Sequence, residues 1–154
     1  MSDELLVRLA EESDIETLVK FNIALAWETE HKKLDPPVVT KGVRMLLKDP
    51  AHGLYTVAEI AGRVVGCTLI TYEWSDWRCG QFWWIQSVYV APEFRRRGVF
   101  RKLYEHLKEK AASEQHVCGF RLYVEHSNLA GQSTYAGVGM EEVSYKFFEE
   151  SFEN

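Results

Sequence analysis

The chain carries a basic glycine run, Arg95-Arg96-Arg97-Gly98, between an apolar stretch that ends at Val90 and the start of an apolar-striped helix. Backbone N–H groups at a helix N-terminus have no intrahelical partner, and the helix dipole favours negative charge there. Arginine adds forked donors that suit phosphate, so the run predicts a site for a phosphorylated ligand. The alternative is a solvated loop that only caps the helix. The position of the run directly after an apolar strand favours the phosphate site.

Asn128 and Tyr135 form a second candidate group. They are seven residues apart, about two helical turns, so both side chains emerge on nearly the same side of one helix and can share a ligand. A phenol with a pKa near 10 remains a proton donor at neutral pH. The alternative roles are structural: Asn128 as a helix N-cap, which is compatible with ligand contact, and Tyr135 as a half-buried packing residue.

The basic glycine run resembles the signature of the GNAT superfamily of acyl-CoA-dependent N-acyltransferases, Arg/Gln-x-x-Gly-x-Gly/Ala between a strand and a long helix. Arg95, Gly98 and Phe100 occupy the three defined places. Phe100 departs from the usual small residue. Only its backbone N–H is needed there, so the role is kept if the ring points into the core.

The segment from Asn128 to Met140 is similar to a second family pattern, Asn-x-x-Ala-x-x-x-Tyr-x-x-x-Gly-Phe, with Gly131 and Met140 in place of alanine and phenylalanine. The resemblance implies acetyl-CoA as cosubstrate and no metal. It implies that backbone N–H groups after Arg95 hold the CoA pyrophosphate, and that the strand before them pairs with the pantetheine arm. Asn128 would contact the cofactor, and Tyr135 would protonate the departing thiolate. The implied cofactor-binding residues are Val88, Tyr89, Val90, Arg95, Arg96, Arg97, Gly98, Val99, Phe100, Arg101, Asn128 and Tyr135.

The general base is the least defined part of the site. Many family members carry a carboxylate on the strand before the glycine turn, whereas this chain has Gln86 and Ser87 there. Glu73 is the first candidate, because it lies late in a strand expected to adjoin the strand of residues 81–91. Each candidate could instead be an ordinary surface charge. The other candidates, acting directly or through water, are Asp76, Glu125, His126, Glu28 and Glu30.

The elements that position these residues follow the order β-α-α-β-β-β-α-β-α-β, which is the order of the GNAT fold. We expect an α/β (α+β) domain over residues 1–154, with a mixed, mostly antiparallel sheet of about six or seven strands and about four helices. Ser13 and Glu16 stand at capping-box spacing before the first helix. The expected strands are around Leu5 to Leu9, then 53–60, 63–74, 81–91, 120–125 and 143–148, and the helices begin near Ile15, Pro36, Val99 and Asn128.

Four tryptophans, Trp74, Trp77, Trp83 and Trp84, crowd one hairpin. Indoles at this density could line an acceptor pocket and hold an ammonium group by cation–π contact. Core packing or a dimer surface is an equal alternative, so a homodimer remains open.

Composition sets the class of protein. The chain has 154 residues, 46% of them hydrophobic, and a net charge of −5, which disfavours a nucleic-acid surface. The acidic N-terminus lacks the sections of a signal peptide, and no apolar run approaches a membrane span, so we expect a cytoplasmic protein without membrane contact. Its three cysteines form no short pair, which suits a reducing compartment and no zinc site.

The function predicted is transfer of an acetyl group from acetyl-CoA to a primary amine of a small molecule or peptide. Two other classes stay open. One is a CoA-binding sensor or partner protein without transferase activity, which the missing strand carboxylate would allow. The other is a phosphate or nucleic-acid binding module built on the arginine run, which the acidic chain disfavours.

Overall fold

The structure is a computed structural model that describes residues 4–152, and its centre is a five-stranded sheet with strand order β1-β2-β3-β4-β5. Neighbouring strands are antiparallel except β4 and β5, which are parallel. The mixed, mostly antiparallel sheet is therefore confirmed, with slightly fewer strands than expected. The strands are β1 (Leu5–Leu9), β2 (Leu54–Ile60), β3 (Arg63–Ser75), β4 (Gly80–Val90) and β5 (Val117–Arg121).

Residues 4–152 form four α-helices: α1 (Ile15–Glu30), α2 (Pro36–Lys48), α3 (Val99–Ser113) and α4 (Leu129–Gly137). The first three pack on the faces of the sheet, whereas α4 has no buried residue. Helices α1 and α2 pack on one face, where Leu18 and Val43 meet Val57 of β2. Helix α3 packs on the opposite face. Its Leu103 and Leu107 recur at helical spacing, so they form one apolar stripe, and both are fully buried against that face. We call these the α1 face and the α3 face.

The predicted capping box of Ser13 and Glu16 is wrong. A 3-10 turn, Glu12–Asp14, precedes α1, and the Glu11 N–H donates to Asp14 Oδ2 at 2.7 Å. Both Asp14 oxygens also accept from Arg8 of β1, at 2.8 and 3.0 Å. A bidentate arginine pair is a stronger interaction than a hydroxyl cap, so the carboxylate fixes where α1 begins.

Strand β4 contains a bulge at Gln86. The register pairs Leu69 with Ser87 and Ile70 with Ile85, which leaves Gln86 as the extra residue. Since side chains alternate along a strand, one extra residue reverses the alternation. Ile85 and Val88 therefore share the α3 face.

Strands β4 and β5 pair over a short distance only. The last paired residues are Trp84 and Arg121, and from Ile85 onward this edge of β4 has no strand partner within residues 4–152. The predicted strand at 120–125 is therefore placed too late, because β5 begins at Val117. A Cβ at Gly119 would lie 3.0 Å from the Phe82 ring. The glycine, which in sequence suggests a loop, therefore lets β5 pair with β4 beside this ring.

The expected final strand at 143–148 is absent. Its residues form no strand, and Val143, Tyr145 and Phe147 are 67%, 76% and 67% exposed. Alternating apolar residues favour a strand only where a sheet edge is available, and β5 ends at Arg121 before the tail could extend it. The tail is nevertheless in contact with this region, because the rings of Phe147 and Tyr123 lie 5.1 Å apart.

The helices of the described region are too short or too polar to span a bilayer.

Replacing Asp14 tests the pair that starts α1. Asp14→Asn should lower the free energy of unfolding at pH 7 by about 2 kcal/mol, less than the loss typical of a fully buried pair because Arg8 is 30% exposed. The hydrogen bonds from Arg8 hold the pKa of Asp14 below its ordinary value. The stabilisation is therefore present above about pH 4, the unfolded-state value, and is lost as pH falls through the folded-state pKa. Urea unfolding at several pH values measures this.

The matched control is Glu16→Gln, which removes an exposed carboxylate paired with Lys20 at 3.3 Å. It should change stability by at most about 0.5 kcal/mol. A difference between parent and Asp14→Asn that stays constant down to pH 2 would contradict the pairing argument.

Candidate active site

The basic glycine run forms a tight turn into α3. Arg96 and Gly98 have left-handed backbone, with φ of 63° and 78°, and Gly98 is the N-cap of α3. The first N–H groups, from Gly98 to Arg101, have no intrahelical partner. No side chain of residues 4–152 caps this helix, so these groups stay open. A Cβ on Gly98 would meet nothing within 4 Å, and the space beside the turn is therefore open to a ligand. The turn has the backbone geometry of an anion site.

The arginine side chains are partly engaged with the protein itself. Arg95 donates from Nε to the Val90 carbonyl and from Nη2 to Glu28 Oε2, both at 2.8 Å. Arg101 donates weakly to the Gly137 carbonyl at 3.4 Å. Arg95 thus clamps the turn to β4 and α1, and the main chain is left as the principal anion donor.

A cleft of about 720 Å³ lies beside the turn. Its walls are the end of α1, the free edge of β4 at 88–90, the turn itself and α4. All of the predicted cofactor-binding residues line this cleft except Arg97, whose guanidinium lies 5.4 Å from the Phe94 ring centroid. The structure therefore brings together two sequence segments that were predicted separately.

Tyr135 lies against Phe100 at the inner wall of the cleft. Their rings meet edge to face at 5.7 Å, and Phe100 also packs on Tyr104 at 5.9 Å. The Phe100 ring thus turns toward the α3-face core, as its place in the motif requires. Burial raises the pKa of Tyr135, which keeps the phenol protonated at neutral pH. Its hydroxyl forms no hydrogen bond with other described residues and is available to a ligand.

Asn128 is the N-cap of α4. Its Oδ1 accepts from the Gly131 N–H at 2.9 Å, so the capping role is confirmed. A Cβ at Gly131 would come within 2.7 Å of the Asn128 amide nitrogen. An alanine at position 131 would therefore require the Asn128 amide to shift.

A polar network that the sequence analysis missed secures β4 just after its bulge. The Ser87 hydroxyl donates to Asn22 Oδ1 at 3.3 Å, and Asn22 Nδ2 donates to the Tyr55 hydroxyl at 2.9 Å. Burial raises the pKa of Tyr55 to about 12, so it stays a phenol. The residues come from α1, β2 and β4, and no local spacing signals such a contact. The network holds the Ser87 hydroxyl against Asn22 of α1, so this hydroxyl is not free to take a proton from a substrate.

Glu73, the first candidate for the general base, lies on β3 opposite Phe82. Its Oε1 accepts from Arg121 Nη1 at 2.7 Å and from Trp84 Nε1 at 3.1 Å. Its Oε2 has no partner among residues 4–152, so only that oxygen is open to a substrate.

The other carboxylates are placed less favourably. Glu28 lines the cleft, but it accepts hydrogen bonds from Arg95 and from the Tyr89 hydroxyl. Ser127 donates twice to Glu125, which lowers the pKa of that carboxyl and makes it a weaker base.

The remaining candidates lie outside the cleft. Glu30 pairs with Lys32 at 3.5 Å. Asp76 lies in the turn between β3 and β4, and His126 lies beside Glu125 outside the cleft.

The tryptophan cluster divides into different roles. Trp83 is buried on the α3 face, stacked on Phe120 at 6.1 Å. Trp84 is half-buried beside Glu73, whereas Trp77 is 90% exposed.

Comparison with known proteins agrees with the fold. The sequence pattern of the acetyltransferase (GNAT) family matches residues 15–140, so the chain belongs to this family of acyltransferases. A possible acetyltransferase from Clostridium difficile 630 is 43% identical, covers 97% of this chain and 99% of its own, and superposes with a TM-score of 0.90. A comparison with curated protein sequences finds no match.

More distant solved structures share the fold. An aminoglycoside N-acetyltransferase in complex with CoA is 15% identical, with a TM-score of 0.80 over 98% of this chain and 97% of its own. A ribosomal-protein-alanine N-acetyltransferase from Brucella melitensis is also 15% identical, with a TM-score of 0.76 over 97% of this chain and all of its own. Their different acceptors show that the fold alone does not identify a substrate.

Proposed function

We propose that the protein is an acetyl-CoA-dependent N-acetyltransferase that moves the acetyl group directly to the primary amine of a small molecule or peptide. The observation that carries the proposal is the single cleft in which the turn before α3, the free edge of β4 and Tyr135 meet. Membership of the acetyltransferase (GNAT) family supports acyl transfer. A CoA complex in a protein of the same fold supports the choice of donor.

The donor would bind through its pyrophosphate and its pantetheine arm. The N–H groups of 98–101 would hold the pyrophosphate, and the open space at Gly98 fits such a group. The free edge of β4 at 88–90 would pair with the pantetheine amides as an added strand does. Side chains at these positions need only be apolar, and Val88 and Val90 are.

The reaction needs an attacking amine, a polarised carbonyl and a protonated leaving group. The amine nitrogen forms a bond to the thioester carbon, the C–S bond breaks with its electron pair on sulfur, and the Tyr135 O–H gives that sulfur a proton. Unpaired N–H groups of β4 near the Gln86 bulge would polarise the carbonyl. The amine proton passes to Glu73 at Oε2, directly or through water. This route uses no metal ion.

The direct test is acetyl-CoA turnover with a panel of alkylamines, polyamines, amino acids, aminoglycosides and a peptide. Free CoA thiol should appear only when an amine is present, and mass spectrometry should find the acetylated amine. Acetyl-CoA binding without turnover of any amine would instead establish the CoA-binding sensor or partner, which the absence of a carboxylate at Gln86 and Ser87 would explain.

Gly98→Asp should weaken acetyl-CoA binding at least tenfold by calorimetry, because a carboxylate beside the turn repels phosphate and fills its space. Gly62→Asp is the matched control, since Gly62 has the same φ of 78° and open surroundings but lies in the β2–β3 turn. Equal affinities in the two variants would place the phosphate site elsewhere.

Tyr135→Phe should lower kcat far more than it raises KM for acetyl-CoA, because the hydroxyl acts on the leaving sulfur rather than on ground-state binding. The loss expected for a general acid is about 10²–10⁴-fold. The ring contact with Phe100 is kept in the variant, so stability serves as the internal control. An unchanged kcat, measured where single-turnover kinetics show that chemistry limits the rate, would reduce Tyr135 to a packing residue.

A further inference from the structure

A patch of charged and aromatic side chains lies where β4 and β5 separate. At its centre Glu73 Oε1 is held by Arg121 and by the Trp84 indole. Arg121 is itself fixed, because its guanidinium carbon lies 3.6 Å from the centroid of the Phe82 ring. The two donors to Oε1 fix the orientation of the carboxylate. No described residue donates to Oε2, so this oxygen is open. An oriented, half-exposed carboxylate oxygen is a receptor for an ammonium group.

Aromatic rings continue from this carboxylate. Trp84 lies 6.1 Å from Tyr123, and Tyr123 lies 5.1 Å from Phe147 of the C-terminal tail, measured between ring centroids. Tyr123 and Phe147 are 60% and 67% exposed, so their faces are not used by the core. Exposed aromatic rings can stack on a planar apolar group, and the open carboxylate beside them can bind an ammonium. The patch therefore fits a ligand that contains both groups.

The location suits the acceptor of acetyl transfer. Trp84 and Arg121 are the last paired residues of β4 and β5, so the patch borders the opening between the strands. Gln86, the bulged residue, follows Trp84 by two positions, and Val88 of the donor cleft follows by two more. The patch and the donor cleft therefore lie on the same strand, four residues or about 13 Å apart.

We propose that this acceptor surface, formed by Glu73, Trp84, Arg121, Tyr123 and Phe147, binds primary amines that carry an aromatic ring, with the ammonium at Glu73 Oε2 and the ring on Trp84 and Tyr123. The inference rests on the proposed function and names its acceptor class. Arg121 is a positioning residue, because it holds Oε1 and touches no substrate. The acceptor ammonium passes one proton to Oε2, which releases it to solvent before the nitrogen attacks. Oε2 then accepts the second proton, which the nitrogen gives up as the amide forms, and Tyr135 regains from solvent the proton it gave to sulfur.

The test compares 2-phenylethylamine with 2-cyclohexylethylamine, which is similar in length and charge but has no aromatic ring. The parent protein should show a KM roughly 2- to 12-fold lower for the phenyl compound, the range expected for an aromatic contact beyond area burial. Trp84→Leu and Tyr123→Leu should each reduce that preference while KM for acetyl-CoA stays unchanged. Glu73→Gln should raise KM at least tenfold for both amines.

Trp77→Leu is the matched control, since Trp77 lies on the same hairpin and is 90% exposed away from these contacts. It should behave as the parent does. Tyr123→Leu keeps the test decisive if Trp84→Leu does not fold, because Tyr123 is an exposed residue. Equal preference in the parent, Tyr123→Leu and Trp77→Leu would overturn the acceptor assignment while acetylation itself continues.

A second readout separates this inference from the proposed function. Calorimetry with 2-phenylethylamine on the protein saturated with CoA measures acceptor binding without chemistry. Binding that Glu73→Gln and Tyr123→Leu weaken supports the acceptor surface even if no amine is acetylated. Absence of binding, together with turnover of other amines, overturns the surface and leaves the transferase function standing.

Discussion

The parallel pairing of β4 with β5 ends at Trp84 and Arg121, and the candidate site depends on that ending. A longer ladder would fill the edge of β4 from Ile85 to Val90 and close the cleft. Backbone groups left unpaired at a strand edge seek a partner, and a peptide-like pantetheine arm can supply one. Strand β4 is thus paired with β3 along its length, whereas its other edge is open to a ligand after Trp84.

The bulge at Gln86 separates the proposed acceptor surface, which lies before it on β4, from the proposed donor cleft, which lies after it on the same strand. Before the bulge, Trp84 faces Glu73 and the aromatic patch. After it, Ser87 is bound to Asn22 of α1, and the following residues line the donor cleft. One inserted residue therefore lets β4 serve both a polar acceptor surface and an apolar donor wall.

The features that sequence predicts here are local ones. The turn at Gly98 is readable because the glycine, the arginines and the helix start are adjacent, and Asn128 is a recognisable cap for the same reason. The partner of Glu73 could not be predicted, since Arg121 is 48 residues away and its position depends on the short β5 ladder. The tail at 143–148 has the alternation of a strand, but alternation does not reveal whether a sheet edge is available to it.

Amide chemical shifts of the ¹⁵N-labelled protein during a CoA titration test most directly that the open edge and the turn form the donor site. The account predicts the largest changes at Val88 to Val90 and at Gly98 to Arg101. A second cleft of about 430 Å³ lies between α3 and β5, lined by residues that include Tyr104, Val117 and Phe120. Changes confined to Val117 and Phe120, with the turn amides unmoved, would contradict the account.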